Sequence, residues 1–411
     1  MLSGEVPQLL DPKVEVDPYA FYRRLRNVDP LHHDESTGAL LITRHADVLA
    51  AYRNPAVTTA NYAWQLEPVM GRTLLQLDGA EHARIRGILT PHFRGHGLDG
   101  WVPSIERNVA AIVDGAVENA THRLARCWSP GDEVDVVTAF ARYLPVYVIA
   151  DMLGLPHEDH ARFYSWYSAQ SAFLSNLGGD PAVERRGVEA LVELREYLLP
   201  LVQQRRRGDG DDLISVLARA ETPSGPLDDV EVMTHVTHLL NAGSETTDRT
   251  IANLLHHLLR DRRWWEATRL DSGMVSAAIS ETLRLTPPSQ LNGRVTSAVV
   301  DLPSGTIPAD TFVILVMASA NRDERRYSQP DVFNPAREDV DHARAFTSTG
   351  EHFAFGHGRH FCLGALVARA ELTCSLRILQ ERFPAMRLAD GFVVRDRGIK
   401  MRSPAELRVV L

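Results

Sequence analysis

Ten residues near the C-terminus, Phe355-Gly356-His357-Gly358-Arg359-His360-Phe361-Cys362-Leu363-Gly364, place one cysteine between a glycine-punctuated turn and an apolar run. Gly356 and Gly358 allow backbone angles closed to other residues and a close approach to a flat ligand. Beyond Cys362 the chain reads LGALVARAELTCSLRILQERF, with apolar residues at helical spacing. The sulfur is therefore expected at a helix start, where unpaired N–H groups and the helix dipole favour a thiolate. A buried thiolate so placed suits the axial position of a haem iron. Two other readings stand beside it. His357, His360 and Cys362 could hold zinc, although structural zinc normally takes four ligands in close pairs and no second pair lies nearby. Cys362 could also be an inert core thiol.

With 44% hydrophobic and 24% charged residues over 411 positions, the chain can bury a sizeable cofactor. Its three cysteines, Cys127, Cys362 and Cys374, are odd in number and show no framework of spacings, which argues against a disulfide scaffold. No run of 18 apolar residues occurs and the N-terminus lacks the pattern of a leader or anchor, so a cytoplasmic protein without membrane contact is expected. A formal charge of −9 without a lysine tract offers nothing to nucleic acid.

Residues 30–60 and 290–318 carry the β-like runs, among them GALLITR and VLAAYR, with turns at Pro303-Ser304-Gly305 and Pro308-Ala309-Asp310. Helical spacing dominates 75–285 and 360–382, notably in 100–126, 137–153, 158–177, 183–206 and 227–258. Gly178-Gly179-Asp180-Pro181 breaks two of these helices, and the run from Arg205 to Asp212 reads as a solvated loop. No repeat or linker divides the chain. The expectation is one mainly α domain with small β-sheets spanning 1–411.

The segment from Asp228 to Leu258 would span about 45 Å as a helix. In its middle lies Ala242-Gly243-Ser244-Glu245-Thr246-Thr247, which is poor helix chemistry. The Thr246 hydroxyl can bond the Ala242 carbonyl while Gly243 leaves space, so a local opening that admits dioxygen and water is expected. A merely bent or capped core helix is the other reading. Ser244 is no nucleophile elbow, since Thr246 stands where a glycine is required. His235 and His238 lack the partner that would complete a metal set. Three further elements stand out: Glu281 and Arg284 on one helical face, Pro330-Asp331-Val332-Phe333-Asn334-Pro335-Ala336-Arg337, and Leu77–Arg86 with His82 and Arg86 at i, i+4.

In this order the motifs resemble those of the cytochrome P-450 family, from about Tyr19 to the chain's end. The decapeptide fills every position of Phe-Gly-x-Gly-x-His-x-Cys-x-Gly, and 242–246 fits Ala/Gly-Gly-x-Asp/Glu-Thr. Residues 281–284 and 330–337 match Glu-x-x-Arg and Pro-x-x-Phe-x-Pro-x-Arg, whereas 78–86 departs from Asp-Pro-Pro-Glu-His-x-x-x-Arg at Gly79 and Ala80. The resemblance implies the P-450 fold, a triangular prism-like helical domain with haem b between a long central helix and the cysteine-bearing helix. It makes Cys362 the iron ligand, sets Ala242, Gly243, Phe355, Gly356 and Gly364 against the cofactor, and gives the propionates to His82, Arg86, Arg294 and His360. Glu281, Arg284 and Arg337 become a structural ion-pair cluster. Thr246 and Glu245 become the catalytic pair, positioning and relaying protons.

By the same resemblance Tyr62, Trp64, Met70, His238, Leu239, Asn241, Gln290 and Leu291 line the substrate pocket. Polar His238, Asn241 and Gln290 point to a substrate with hydrogen-bonding groups, a natural-product intermediate, the other reading being that waters or local bonds satisfy them. The implied activity is insertion of one oxygen atom of O2 into a small organic molecule. A ferredoxin and ferredoxin reductase would pass electrons from NAD(P)H, met by a basic patch of Arg84, Arg94 and Arg359 on a monomer. The alternatives are a haem-thiolate peroxygenase, isomerase or dehydratase, or a non-catalytic haem sensor.

Overall fold

The computed structural model describes residues 7–115, 127–176 and 178–411; the parts of the expected helices at 116–126 and 177 lie outside the described residues. In chain order its main elements are α1 (Pro18–Val28), β1 (Leu31–Asp34), β2 (Ala39–Ile42), α2 (His45–Arg53), β3 (Val57–Thr58), α3 (Gly79–Leu89), α4 (Gly95–Val113), α5 (Leu144–Met152), α6 (His160–Leu174), α7 (Pro181–Arg207), α8 (Asp229–Arg260), α9 (Ser272–Leu285), β4 (Leu291–Thr296), β5 (Phe312–Val316) and α10 (Ala365–Arg382). The described residues gather into two compact units.

The first unit comprises 1–61, 252–362 and 393–405. Its five-stranded sheet runs β1-β2-β5-β4-β3, with β2 and β5 parallel and the other pairs antiparallel. The register sets Leu41 opposite Ile314 and Leu291 opposite Val316, and the buried Leu41, Ile314, Val316 and Leu291 pack with Tyr22 and Leu25 of α1. α1 starts cleanly because Pro18 is its first residue and the Asp17 side chain accepts from the N–H groups of Tyr19 and Ala20. α9 is buried without interruption from Ala277 to Leu285.

The expected strand VLAAYR is instead the body of α2. Val48 and Ala51, three apart, are its buried apolar positions, with Asp47 buried beside them, which fits a helical stripe and not strand alternation. The Asp323 carboxylate accepts from the His45 N–H at 2.9 Å and holds its first turn. The turns at 303–305 and 308–310 form as expected, the first joining the paired strands Val300–Leu302 and Gly305–Ile307 and the second carrying Asp310 at φ +55°.

The second unit comprises 62–251, 363–392 and 406–411. α5 is apolar all round and buries eight of its nine residues, Asp151 being the exception. The expected helix 137–153 divides here into a π turn, Val137–Ala141, and α5. α7 begins at Pro181 under an Asp180 cap, just after Gly179 at φ +68°, so the anticipated break is in place, although α7 extends through Arg207 into the expected loop. The 60–75 stretch, which holds the pocket candidates Tyr62, Trp64 and Met70, includes two short helices, Tyr62–Gln65 and Glu67–Met70.

α8 continues helical through all 32 residues, so the expected local opening is absent. Its hydroxyls explain why poor helix formers are tolerated: Thr237, Ser244, Thr246 and Thr250 each donate to the carbonyl four residues back, at 2.8, 2.7, 3.4 and 2.6 Å.

Candidate functional site

In the first unit the cysteine loop is fixed by its own backbone. Gly356 N–H donates to Phe353 O at 2.9 Å, Phe361 N–H to Gly358 O at 3.1 Å, and Cys362 N–H to Phe355 O at 2.9 Å. Gly356 and Gly358 have φ of +70° and +71°, left-handed values that a side chain would strain, so the two glycines are needed for conformation. α10 starts at Ala365 behind Gly364, so Cys362 lies just before the helix and not within its first turn. Its side chain is half-buried. Phe355 packs between Phe346 and Phe361, ring centres 5.7 and 6.0 Å away, and aligns the start of the loop.

Beside this loop, buried Arg294 donates to the Gly293 carbonyl at 2.7 Å and to Asn292 Oδ1, and its guanidinium stands 5.8 Å from the Tyr52 ring. Tyr52 itself stacks on Phe353, accepts from Asn292 Nδ2 at 2.9 Å and bonds the Met317 sulfur at 3.2 Å. Asn292 neighbours Arg294 as the i, i+2 residue of the same strand, whereas Tyr52 reaches it from α2, a placement that no local pattern in the sequence marks. His360 is half-buried in the loop.

Glu281 is fully buried, and its carboxylate accepts from Arg284 Nε and Nη2 at 2.8 Å each and from Arg337 Nε at about 3 Å. The Asn334 N–H adds a fourth bond at 3.0 Å. Arg284 also donates to the carbonyls of Asn321 and Pro330 at 2.8 and 2.9 Å. The cluster thus ties α9 to the 330–337 segment.

In the second unit the middle of α8 is buried except along one stripe: Ala242 is exposed and Gly243 and Thr246 half-buried, while Asn241, Ser244 and Glu245 are buried. Glu245 pairs with Arg249 at 3.0 Å, and Arg249 reaches Asp248 at 3.2 Å. Burial pushes the Asp248 carboxyl up to about 7, Glu245 adding to the effect and Arg249 opposing it. Asp248 and Arg249 lie beyond the motif that drew attention to Thr246, but the i, i+4 spacing of Glu245 and Arg249 was a readable signal.

Glu371 of α10 is also buried, bonded to the Thr247 side chain, and burial pushes it up to about 8. A carboxyl raised in the folded state keeps a proton that the unfolded chain releases. Its stabilising contribution is full below the ordinary pKa of 4.5 and is lost as pH rises through about 8. Glu371→Gln keeps the shape and removes the ionisation. Its melting temperature should therefore fall less than the wild type's between about pH 6 and 9; parallel pH profiles would exclude this role for Glu371.

His82 and Arg86 lie one turn apart on α3, His82 buried and Arg86 half-buried. Gly79 has φ +54°, which proline cannot adopt, so the departure from the family's proline pair changes the helix entry itself. Met70 and Leu239 are buried and Tyr62 is half-buried, but Trp64 is 54% exposed and forms no enclosed wall. Asn241 donates to Gln170 Oε1 and to the Thr237 carbonyl at 3.0 Å, and Gln170 donates to the Val69 carbonyl at 3.1 Å. Asn241 Oδ1 and His238 Nδ1 are buried without a hydrogen-bond partner. Burial pushes His238 and His235 down to about 4, so both rings are neutral.

In the first unit, Leu291 packs in the sheet core. Gln290 is wholly buried, its amide nitrogen donating to the Pro287 carbonyl and its backbone bonded to Lys400 and Ala318, while its Oε1 is buried without a hydrogen-bond partner. Arg84 is bound to Glu231 at 2.6 Å, which removes it from the expected basic patch; Arg94 and Arg359 are exposed.

These residues fit a haem. A half-buried thiol follows two left-handed glycines, a buried arginine stands beside the same loop, and elsewhere a helix presents small residues and one hydroxyl along its open stripe. The model of the family described as Cytochrome P450 matches residues 19–386. The chain is 32% identical over 403 residues to "Pulcherriminic acid synthase" of Bacillus subtilis, covering 98% of this chain and 96% of that protein. It is 32% identical over 372 residues to "Cyclomarin C epoxidase CymV" of Salinispora arenicola, covering 89% and 88%. Among solved structures, cytochrome P450 TbtJ1 superposes with a TM-score of 0.83 at 30% identity, over 99% of this chain and all of that one. The arrangement around Cys362 and the stripe on α8 thus have their explanation: the chain belongs to the cytochrome P450 family of haem-thiolate monooxygenases.

Proposed function

We propose that this monooxygenase carries haem b and oxidises a natural-product intermediate bearing hydrogen-bonding groups, as a cytoplasmic monomer fed by a ferredoxin and its reductase. The observation that carries this reading is the pair of buried, unpartnered polar atoms, the acceptor Asn241 Oδ1 and the ring nitrogen His238 Nδ1, since leaving such atoms unsatisfied costs about 1–3 kcal/mol each. The relatives named for pulcherriminic acid, cyclomarin C and erythromycin C-12 hydroxylation support the substrate class. No helix among the described residues is long and apolar enough to cross a membrane.

Bound haem supplies oxygen activation at a thiolate-ligated iron. The chain's own residues supply the rest. In the first unit Cys362 would hold the metal, and Arg294 and His360 would meet the propionates; the family motif gives His82 and Arg86 of the second unit the same role. Phe355 and Gly356 of the cysteine loop would give the flat ligand room, a role the family motifs assign also to Gly364, Ala242 and Gly243. The Thr246 hydroxyl donates to the Ala242 carbonyl through a long 3.4 Å bond, so it exchanges readily to hold a proton where oxygen reacts. Glu245, fixed by Arg249, relays protons from the solvent side, with Asp248 titrating near neutrality next to it.

The test is titration of the ferric protein with a library of natural products and plain hydrocarbons, followed through the Soret band, then turnover with a surrogate ferredoxin system. Ligands with N–H or O–H groups should shift the band and yield oxygenated product; binding of hydrocarbons alone overturns the reading. In the same assay Thr246→Ala should lower product formation on the order of 100-fold while NAD(P)H consumption continues. Unchanged product yield would remove Thr246 from the proton path.

A further inference from the structure

α5 is buried except at Asp151, the one carboxylate on an otherwise apolar helix. That carboxylate is held on one side and open on the other. Its Oδ2 accepts from Asn108 Nδ2 at 2.8 Å and from Ser104 Oγ, both on α4, while Oδ1 lies 3.3 Å from His157 Nε2. His160, the first residue of α6, is only 4% exposed. Its ring stacks on Tyr147 at 4.6 Å and lies 4.6 Å from the His157 ring. His160 Nε2 is buried and has no hydrogen-bond partner.

We propose that Asp151, His157 and His160 form a binding site for a divalent transition cation, zinc by the chemistry of its donors. One ligand atom from each residue lies within 4.8 Å of the other two. A tetrahedral zinc with bonds of about 2.0–2.1 Å separates its ligand atoms by about 3.3 Å, the distance already found between Asp151 and His157. Two imidazoles and a carboxylate are a common zinc donor set, with water completing the shell. The outer contacts are those such a site uses: Ser104 and Asn108 orient the carboxylate, and Tyr147 fixes the plane of the buried ring. The occupied site would staple the end of α5, the turn His157–Asp159 and the start of α6.

The experiment uses the full haem-loaded chain without a histidine tag, stripped by chelator and dialysed against zinc chloride, with bound metal measured by mass spectrometry and stability by melting. One zinc per chain and a raised melting temperature are expected. His157 is largely exposed, so His157→Ala should fold normally, yet lose zinc affinity by more than about 100-fold and lose the melting shift. His160→Gln should do the same if it folds. A wild-type chain that retains no zinc, or a His157→Ala chain that retains as much as wild type, overturns the proposal.

Discussion

Replacing Cys362 with serine is expected to abolish the thiolate-type carbon monoxide difference spectrum and reduce substrate oxidation to background. The hydroxyl is nearly the same size, so the loop should survive: its shape rests on the bonds from Gly356, Phe361 and Cys362 N–H groups, and none of these involves the sulfur. What is lost is the donor. A serine hydroxyl stays protonated at neutral pH, whereas a thiol with a pKa near 8.5 ionises readily on meeting a metal. The check combines circular dichroism, to show an intact fold, with the reduced carbon monoxide spectrum and product yield. A variant that keeps the wild-type spectrum would show that another atom ligates the iron.

The second large effect is on folding. Glu281→Gln should destabilise the protein by about 3–5 kcal/mol, because it leaves the fully buried Arg284 without a countercharge, while Arg337 keeps only Asp339. Typical total stabilities are about 5–15 kcal/mol, so the variant will lose a large part of its folded population or be recovered in poor yield. Urea unfolding of the wild type and variant gives the difference directly. Arg284→Lys offers an independent arm. Lysine keeps the charge but cannot make the paired bonds to Glu281 while also donating to the carbonyls of Asn321 and Pro330, so it too should unfold at lower urea. Wild-type stability in both variants would show the cluster to be dispensable.

Much of this was legible in the residues because the chemistry is local. Gly356 and Gly358 announce left-handed turns, Asp180-Pro181 announces a capped helix start, and the hydroxyl-rich run of α8 announces bonds to carbonyls four residues back. What escaped depends on distant partners or on which face of an element is covered. VLAAYR suits strand or helix equally until burial of Val48 and Ala51 decides the period. The partner of Arg84, Glu231, is 147 residues away in sequence, so no local pattern could reveal that this cation was already engaged. Leu291 reads as apolar in either setting, and only the register against Val316 assigns it to the sheet core. Gly79 carries a different lesson: a departure from the family's prolines looked like loss of a signal, yet its positive φ marks a different way of entering the same helix.

The bonding of Asn241 has a consequence for selectivity. Its amide nitrogen is already spent on Gln170 and on the Thr237 carbonyl, and only the oxygen is left to offer. An amide so anchored discriminates by polarity of the visitor's edge, welcoming molecules that bring a hydrogen and turning away those that bring a lone pair. Capping that hydrogen with a methyl group, on an otherwise unchanged scaffold, should therefore cost a ligand its advantage.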